Sequence, residues 1–186
     1  MSTRNDPMRV LRHLADTLDI EQTLEAFPGM TRKVLAGIIH GVTGTDQSTW
    51  STAVLSVDGA ARGNPGKAGA GVVLEAADGS VLRIGEYLGE ATNNVAEYRA
   101  LILGMQKAAE LGVSKLKVRS DSELVVKQLN GQYRVKSPHL QDLYFSAIKA
   151  ISSFEKVTFT HVPREQNKEA DRMANLAVDA MGKVEL

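Results

Sequence analysis

The chain has 186 residues, which is enough for one well-buried domain and a small appendage but too few for a large multidomain machine. Hydrophobic residues make up 43% and charged residues 24%, so disordered, collagen-like and coiled-coil classes are disfavoured. The absence of Cys excludes disulfides, a thiol nucleophile and a Cys-ligated zinc site, and because 22 Lys and Arg balance 22 Asp and Glu, any affinity for a polyanion must come from local patches.

The first predicted elements are short helices. Up to residue 42, apolar residues recur at helical spacing around a break at Pro28-Gly29, which predicts two or three helices. Thr31 is expected to cap the last of them, because its hydroxyl can accept a hydrogen bond from a free backbone N–H in the first turn. We therefore assign residues 1–42 to a small all-α module and residues 43–51, which are rich in Gly, Ser and Thr, to a linker.

The amino-terminal region shows no targeting or membrane signal. It lacks the uninterrupted apolar core of a secretory signal, and no window of the chain approaches the roughly 18 apolar residues of a membrane span. We expect a cytoplasmic protein that does not bind membranes.

The first 50 residues carry slightly more acidic than basic side chains. The N-terminal module is therefore interpreted as a packing or partner-binding appendage, with another protein or a nucleic acid as its partner, in preference to a sequence-specific DNA-binding module.

From residue 52 onward, strands and helices alternate. Three apolar runs joined by glycine-containing turns predict a meander, and the complete order is βββαβααβα. The predicted strands and helices are, in chain order within each class, strands 53–57, 70–74, 81–88, 115–119 and 157–161, and helices 95–111, 124–129, 140–151 and 168–181. This order predicts an α/β domain over residues 52–182, with a five-stranded mixed sheet in the order 3-2-1-4-5 and helices on its faces.

Two carboxylates, Asp58 and Glu97, occupy positions that are expected to be close to the sheet, where an ionised group is costly without a partner. Asp58 ends the first predicted strand and precedes glycines, so a backbone can approach a ligand there, although Asp-Gly is also a common turn signal. Glu97 shares a helical stripe with Leu101 and Ala108 that should face the sheet. It therefore needs an ion-pair partner, a proton or a bound cation, unless it is a boundary residue that the helix dipole favours. From either residue alone, both interpretations stay open.

Two further carboxylates follow on later elements. Asp121 closes the fourth strand, and Ser120 and Glu123 are spaced around it like a capping box. The first and fourth strands are central neighbours in the predicted sheet, so Asp58 and Asp121 should emerge side by side, which is stable in the ionised form only with a cation between them. Asp171 on the last helix would, taken alone, be a solvated surface residue. Four carboxylates on separate elements, without Cys or a paired His, favour oxygen ligation of Mg²⁺ or Mn²⁺ and hence phosphoryl transfer.

Four blocks of the sequence occur in an order that is typical of one family. They are Val57-Asp58-Gly59 with Gly63-Asn64-Pro65-Gly66, then Thr92-Asn93-Asn94-Val95-Ala96-Glu97, then Ser120-Asp121-Ser122, and finally His161 with Asn167 and Asp171. At these residues the chain resembles the type 1 ribonuclease H family, over about residues 51–179. The resemblance implies a ribonuclease H-like fold and hydrolysis of the RNA strand of RNA–DNA hybrids, which leaves 5′-phosphate and 3′-hydroxyl ends. It also implies two divalent ions per site with substrate, Mg²⁺ or alternatively Mn²⁺.

The resemblance also implies roles for single residues. Asp58, Glu97, Asp121 and Asp171 match the metal-binding catalytic carboxylates. His161 matches a histidine that handles protons and assists product release, whereas its sequence position alone is equally typical of a surface histidine at a strand end. The residues that the resemblance assigns to substrate binding are Gly59, Asn64, Thr92, Asn93, Asn94, Ser122, Glu123, Tyr133 and Arg134.

The implied substrate contacts are of several kinds. Gly59 and the three Asn residues match positions that contact RNA 2′-hydroxyls and bases in the minor groove, where a 2′-hydroxyl distinguishes RNA from DNA. Thr92 matches a contact to a DNA phosphate. Glu123 stands where bacterial members often have Gln, so a carboxylate replaces an amide at this position.

One region is shorter than in several bacterial members of the family, which have a basic helix with Trp that grips the DNA strand. Here residues 132–139 include Tyr133, Arg134 and Lys136, which form either a smaller phosphate and stacking patch or an ordinary polar loop. With fewer phosphate contacts, we expect weaker hybrid binding at a given salt concentration.

Three functions remain to be distinguished. The leading hypothesis is a hybrid-specific endoribonuclease. A non-catalytic hybrid-binding module is disfavoured by the complete carboxylate set, and an integrase-like DNA nuclease on the same fold is disfavoured by the minor-groove Asn residues.

Overall fold

The computed structural model describes residues 7–43 and 50–186. The chain divides into two units, residues 1–48 and residues 49–186, and the predicted linker at residues 43–51 lies largely outside the described residues. Within the described ranges, none of the helices combines the length and the apolar character that crossing a membrane requires.

The N-terminal unit consists of helices. Its described residues, 7–43, form three helices, α1 (Pro7–Thr17), α2 (Ile20–Ala26) and α3 (Arg32–Thr43). They enclose a small apolar core of buried side chains, namely Val10, Phe27, Met30 and Leu35. The hydroxyl of Thr31 accepts a hydrogen bond from the backbone N of Val34 at 3.2 Å, so the predicted cap of the last helix is confirmed.

The second unit is built on a mixed sheet with one strand more than predicted. The strands are β1 (Thr52–Gly63), β2 (Gly66–Ala76), β3 (Val81–Ala91), β4 (Lys115–Ser120), β5 (Lys156–His161) and β6 (Lys183–Glu185), in the order β5-β4-β1-β2-β3-β6. The predicted order 3-2-1-4-5 is confirmed. The prediction of five strands is wrong, because the short β6 pairs antiparallel with β3 at the sheet edge. Three residues are too few for an alternating pattern to identify a strand.

Four helices cover the sheet: α4 (Asn93–Glu110), α5 (Glu123–Leu129), α6 (Pro138–Ile151) and α7 (Lys168–Ala180). They occur in the predicted order. Val72 packs in the core cluster of α4, whereas Val73 packs against Met173 of α7. Since neighbouring residues of a strand point to opposite faces, α4 and α7 lie on opposite faces of the sheet.

The first strand is longer than predicted. Its parallel pairing with β4 ends at Val57 opposite Ser120, but its antiparallel pairing with β2 continues to Gly63 opposite Gly66. The prediction that Asp58 ends the strand and that a glycine-rich turn follows is therefore wrong, since the hairpin turn contains only residues 64–65. Asp58 instead marks the end of the parallel pairing.

The glycines of this hairpin are packing residues. A Cβ at Gly59 would lie 2.1 Å from the backbone N of Glu97, and a Cβ at Gly71 would lie 1.9 Å from the carbonyl oxygen of Ala170. Side chains at these positions would keep α4 and α7 away from the sheet. Gly59 was assigned to a turn, because the helix that packs on it is distant along the chain.

Candidate active site

Asp58 and Asp121 are the first residues beyond the paired segments of β1 and β4. The last parallel pair is Val57 with Ser120, so Asp58 and Asp121 follow at the same height, Asp58 still within β1 and Asp121 just after β4. Asp58 is nevertheless only 5% exposed. The prediction that these two carboxylates lie side by side at one edge is confirmed, because their oxygens belong to one tight cluster.

Glu97 reaches the same edge from α4. It is 6% exposed, and Leu101 and Ala108 on the predicted stripe are buried as well. Its Oε2 accepts a hydrogen bond from the backbone N of Gly59 at 3.2 Å, and its Oε1 accepts a longer one from Asn93 Nδ2 at 3.5 Å. The close approach that Gly59 permits therefore brings the Glu97 carboxylate to β1.

Asp58, Glu97 and Asp121 form the acidic cluster of this site. Each contributes a carboxylate oxygen, and these oxygens all lie within 4.8 Å of one another. Three carboxylates from separate elements, converging at this spacing, fit the all-oxygen ligation of a hard divalent cation. Among the residues that the structure describes, this is the only group of three or more metal-ligating side chains found at that spacing.

The acidic cluster raises the pKa values of its own members. The pKa of Asp58 is raised from 3.8 to about 7, first by burial and then by the negative charges of Asp121 and Asp171, while Arg164 opposes the shift. Burial also raises the pKa of Glu97 well above its usual 4.5, with the charges of Asp58 and Asp121 as smaller causes. A bound cation would relieve both effects, because it neutralises the repulsion that burial makes costly.

Asp171 lies outside the group of three. It stands in the first turn of α7, and its Oδ1 accepts a hydrogen bond from Arg164 Nη2 at 2.7 Å. Its charge still raises the pKa of Asp58. Asp171 is therefore close enough to act on the acidic cluster electrostatically, while its carboxylate is paired with a cationic side chain.

His161 ends β5 and is exposed. Its backbone pairs with Ser120 in the parallel ladder. Its charge also contributes to lowering the pKa of Glu123, after the larger effects of Lys127. Exposure at a strand end agrees with a proton-handling residue and with a surface histidine alike, so its role stays a prediction.

The predicted minor-groove residues surround the start of α4. Asn64 Oδ1 accepts a hydrogen bond from the backbone N of Asn93 at 3.2 Å, and Thr92 Oγ1 accepts one from Val95 N at 3.4 Å. Asn94 is exposed beside them. Gly59 differs from the other residues of this set, because it is buried and its N–H donates to Glu97.

A cavity of about 650 Å³ opens beside these residues and extends to the start of α6. We call it the helix-end cavity. Asn64, Thr92 and Asn94 line it, Arg99 and His139 contribute basic side chains, and Glu90 and Asp142 contribute acidic ones. The N-termini of α4 and α6 both lie at this cavity, and helix N-termini attract negative charge.

The remaining predicted substrate residues lie around α5. Ser120 Oγ accepts from the backbone N of Ser122 at 3.0 Å, and α5 begins only at Glu123, so the alternative interpretation of Ser120 and Glu123 as a capping box does not hold. Glu123 Oε1 pairs instead with Lys127 Nζ at 2.6 Å. That ammonium also lies 4.9 Å from the ring centroid of the exposed Tyr133. Arg134 follows and is exposed, so this patch has both an aromatic surface and positive charge.

Asn167 is a site residue to which the sequence analysis gave no separate role. It is 2% exposed, and its Nδ2 donates to Asp121 Oδ1 at 2.7 Å and to the carbonyl oxygen of Val57 at 2.8 Å. An Asn directly before a helix is typical of an N-cap, but within the described structure its side chain makes no capping hydrogen bond. The only feature of the sequence that pointed to Asn167 as a site residue was its place between His161 and Asp171 in the fourth sequence block.

The chain is similar to known proteins in both sequence and fold. A profile of the family described as "Reverse transcriptase-like" matches residues 56–177. The N-terminal RNase H domain of Rv2228c from Mycobacterium tuberculosis, solved as a fusion with maltose-binding protein, is 46% identical, and the match covers 69% of this chain and 99% of that chain with a TM-score of 0.66. The sequence match to the complete bifunctional protein Rv2228c spans only 35% of its length.

Two other solved structures are comparably similar. RNase H1 of the halophilic archaeon Halobacterium salinarum is 42% identical, with 69% of this chain and 98% of that chain covered and a TM-score of 0.67. LC11-RNase H1, which was crystallised in complex with an RNA/DNA hybrid, is 39% identical over the same shares, with a TM-score of 0.66. All three neighbours have the fold described above for residues 50–186.

Proposed function

The chain belongs to the type 1 ribonuclease H family, and we propose that it is an endoribonuclease that hydrolyses the RNA strand of RNA–DNA hybrids. The observation that carries the proposal is the acidic cluster at the end of the β1–β4 pairing. A cluster of this kind is suited to phosphodiester hydrolysis, because phosphate substrates bring a negative charge that only bound cations make tolerable. The similar LC11-RNase H1 binds an RNA/DNA hybrid, which supports the substrate.

In this proposal Asp58, Glu97 and Asp121 hold the metal, and Asp171 joins them as the fourth carboxylate. Mg²⁺ is the proposed ion, with Mn²⁺ as an alternative and two ions per site when substrate is present. Bound cations supply charge stabilisation for an in-line displacement at the phosphate. The residues of the chain hold the carboxylate oxygens in place before substrate arrives, since two of the carboxylates are buried and Glu97 is tied to β1.

We assign His161 to proton transfer near the leaving group. It is exposed at the end of β5, so it can exchange protons with solvent while it remains close to β4. Arg164 donates to Asp171 Oδ1, so Oδ2 is the oxygen that Asp171 can contribute to the metal without breaking this contact.

Substrate is proposed to lie across the start of α4. Because Asn64 Oδ1 accepts from the backbone of Asn93, the Asn64 amide group keeps its N–H donors for the minor groove of the hybrid. Asn93 and Asn94 supply further amide groups. A phosphate of the DNA strand is placed at the helix-end cavity beside Thr92, where the N-termini of α4 and α6 and the side chain of Arg99 attract negative charge, although Glu90 and Asp142 also line the cavity. Gly59 acts in this proposal through its N–H on Glu97.

A second substrate contact is proposed at the exposed surface formed by Lys127, Tyr133 and Arg134, which we call the Tyr133 patch. Ser122 and Glu123 lead into α5, and Lys127, Tyr133 and Arg134 present charge and an aromatic ring. This surface is small, so we expect weak binding of the DNA strand with a shallow dependence on salt. A salt titration with a slope as steep as that of a homologue with a basic helix would contradict this assignment.

The N-terminal unit is proposed to bind a partner, either another protein or a nucleic acid. Its described residues expose several apolar side chains, with Leu18 87% exposed and Met8 57% exposed. Deleting residues 1–48 should leave cleavage of a short hybrid unchanged if the unit acts only through a partner.

One assay tests the proposal. Labelled RNA–DNA hybrid, double-stranded RNA and double-stranded DNA are incubated with and without Mg²⁺, using the wild type, Asp58→Asn and the control Asp179→Asn. Asp179 is also a carboxylate of the second unit, but it lies on the surface, where it pairs with Arg62. We expect Mg²⁺-dependent cleavage of the hybrid alone, lost in Asp58→Asn and kept in the control. Binding without cleavage would favour a non-catalytic module, and DNA cleavage would favour an integrase-like nuclease.

A further inference from the structure

Asn167 is a buried polar side chain at the centre of the active site. Its residue precedes α7, and only 2% of its surface is exposed. We propose that Asn167 is a positioning residue that holds the Asp121 carboxylate and the end of β1 at a fixed spacing, so that the metal site is formed in advance. This inference rests on the proposed function, because it concerns how the same site binds its cation.

The amide nitrogen of Asn167 connects the two strands that carry the first two aspartates. One hydrogen bond reaches Asp121 Oδ1 at 2.7 Å, and the other reaches the carbonyl oxygen of Val57, the residue before Asp58, at 2.8 Å. An amide nitrogen has two protons, and both have an acceptor here. The side chain therefore couples the orientation of Asp121 to the backbone position of Asp58.

The orientation of this amide is determined by its surroundings. If oxygen and nitrogen were exchanged, an amide oxygen would face the Val57 carbonyl and the Asp121 carboxylate, and three oxygens would repel one another. In the observed orientation, Asn167 Oδ1 is buried and has no hydrogen-bond partner among the described residues. An unpartnered buried acceptor is destabilising. The observed orientation therefore satisfies both N–H donors of Asn167 and leaves its oxygen unpaired, which lowers the stability of the folded state.

The backbone of Asn167 reaches a third carboxylate. Its carbonyl oxygen accepts a hydrogen bond from the backbone N of Asp171 at 3.1 Å, the first hydrogen bond of α7. Asn167 is therefore attached to the elements that carry Asp58, Asp121 and Asp171. Residues that orient metal ligands in this way typically change metal affinity or activity when they are replaced.

The test compares Asn167→Ala with Asn175→Ala in the full chain. Asn175 is a matched control on α7, because its Nδ2 also donates to a backbone carbonyl, that of Asp171, at 2.9 Å without contacting a carboxylate. Calorimetry measures Mg²⁺ binding, and steady-state kinetics with a hybrid separate kcat from KM. We expect Asn167→Ala to weaken Mg²⁺ binding by about 10- to 100-fold and to lower kcat with little change in KM. Asn175→Ala should leave Mg²⁺ affinity unchanged.

The possible results separate the inference from the proposed function. If Asn167→Ala is less stable but binds Mg²⁺ as tightly as the wild type, Asn167 is merely structural and the inference is overturned. If the wild type neither binds Mg²⁺ nor cleaves hybrid, the proposed function fails and the inference fails with it. Asn167→Ser, which keeps one hydroxyl donor, should bind Mg²⁺ with an affinity between those of Asn167→Ala and the wild type.

A measurement on the wild type covers the case in which the Asn167 variants do not fold. Hydrogen exchange of side-chain amide protons is followed by NMR in the Mg²⁺-free protein. Asn130 is the control, because its Nδ2 also donates to a backbone carbonyl, that of Phe159, but the residue is exposed. We expect the Asn167 amide protons to exchange at least about tenfold more slowly. Equal rates would show that the two bonds do not persist and would overturn the inference.

Discussion

The active site has two halves that differ in how they are held. In the first half, Asp58 and Glu97 are buried, and the backbone of α4 lies against Gly59 so closely that no side chain fits between them. In the second half, His161 is exposed and Asp171 is paired with the exposed Arg164. The first half is organised by packing at an electrostatic cost, whereas the second half can rearrange at little cost. The predictions below test this difference.

The largest expected difference between the halves is in catalysis. Asp58→Asn should reduce hybrid cleavage by more than about 100-fold, beyond the range typical of residues that only orient metal ligands. Asp171→Asn should cost less, about tenfold, because Asp171 lies outside the group of three and an amide keeps one oxygen acceptor. Steady-state kinetics at saturating Mg²⁺ measures both. An equal loss in the two variants would contradict the division into two halves.

The buried half should also make stability depend on pH. Asp58 has a pKa of about 7 in the folded protein, raised from 3.8 by burial and then by Asp121 and Asp171. Below 3.8 the carboxyl is protonated whether or not the chain is folded. As the pH rises to about 7, the unfolded chain releases this proton while the folded chain retains it, so the free energy of unfolding falls by on the order of 4 kcal/mol.

Urea unfolding in the presence of a chelator measures this fall. Asp58→Asn should lack it, so the variant should become more stable than the wild type as the pH approaches 7, and saturating Mg²⁺ should reduce the advantage. The control Asp179→Asn should follow the wild-type pH profile, because Asp179 lies in an exposed ion pair. Parallel profiles for the wild type and Asp58→Asn would refute the electrostatic cost assigned to the buried half.

A smaller effect is expected from the packing of the same half. Gly59→Ala should destabilise the protein by about 3 kcal/mol, because its Cβ would lie 2.1 Å from a backbone atom of α4. Gly79→Ala is the control: its φ of +89° is unfavourable for Ala, but nothing lies within 4 Å of the added Cβ. We expect about 1 kcal/mol there. Denaturant unfolding distinguishes the two, and similar losses would mean that α4 adjusts freely.

The smallest effect is expected in the second half. Arg164→Ala removes an ion pair in which the arginine side chain is 74% exposed, so the free energy of unfolding should change by less than about 1 kcal/mol. Thermal unfolding in a chelator measures this change. A loss as large as that of Gly59→Ala would show that the second half is also held by packing.

Much of the fold was predictable because its signals are local. Apolar runs between turn residues identified the first strands, and the spacing of Glu97 and Leu101 identified the buried face of α4. The strand order follows from the chain order, because few connections between such elements are compatible with a twisted sheet. That order already implied that Asp58 and Asp121 would be neighbours, which the structure confirms.

Other features could not be predicted because they depend on contacts between distant residues. The strand β6 is defined by its pairing with β3, and its own three residues carry no pattern. The spacing of Ser120 and Glu123 resembles a capping box, but α5 begins at Glu123 with Ser122 as its N-cap residue, and the Ser120 hydroxyl accepts from the backbone N of Ser122. Asn167 is 110 residues away from its acceptor Val57 along the chain.

The sequence by itself determined the alternation of strands and helices after residue 52, the order of the five longer strands in the sheet, and that acidic residues gather at one edge of it. Only the tertiary structure decided which three carboxylates meet, that Gly59 serves packing, and that Asn167 links the strands of Asp58 and Asp121. The physical reason is the range of the interactions. Periodicity and turn preference act between neighbours in the chain, whereas burial, charge repulsion and close packing depend on residues that become neighbours only when the chain folds.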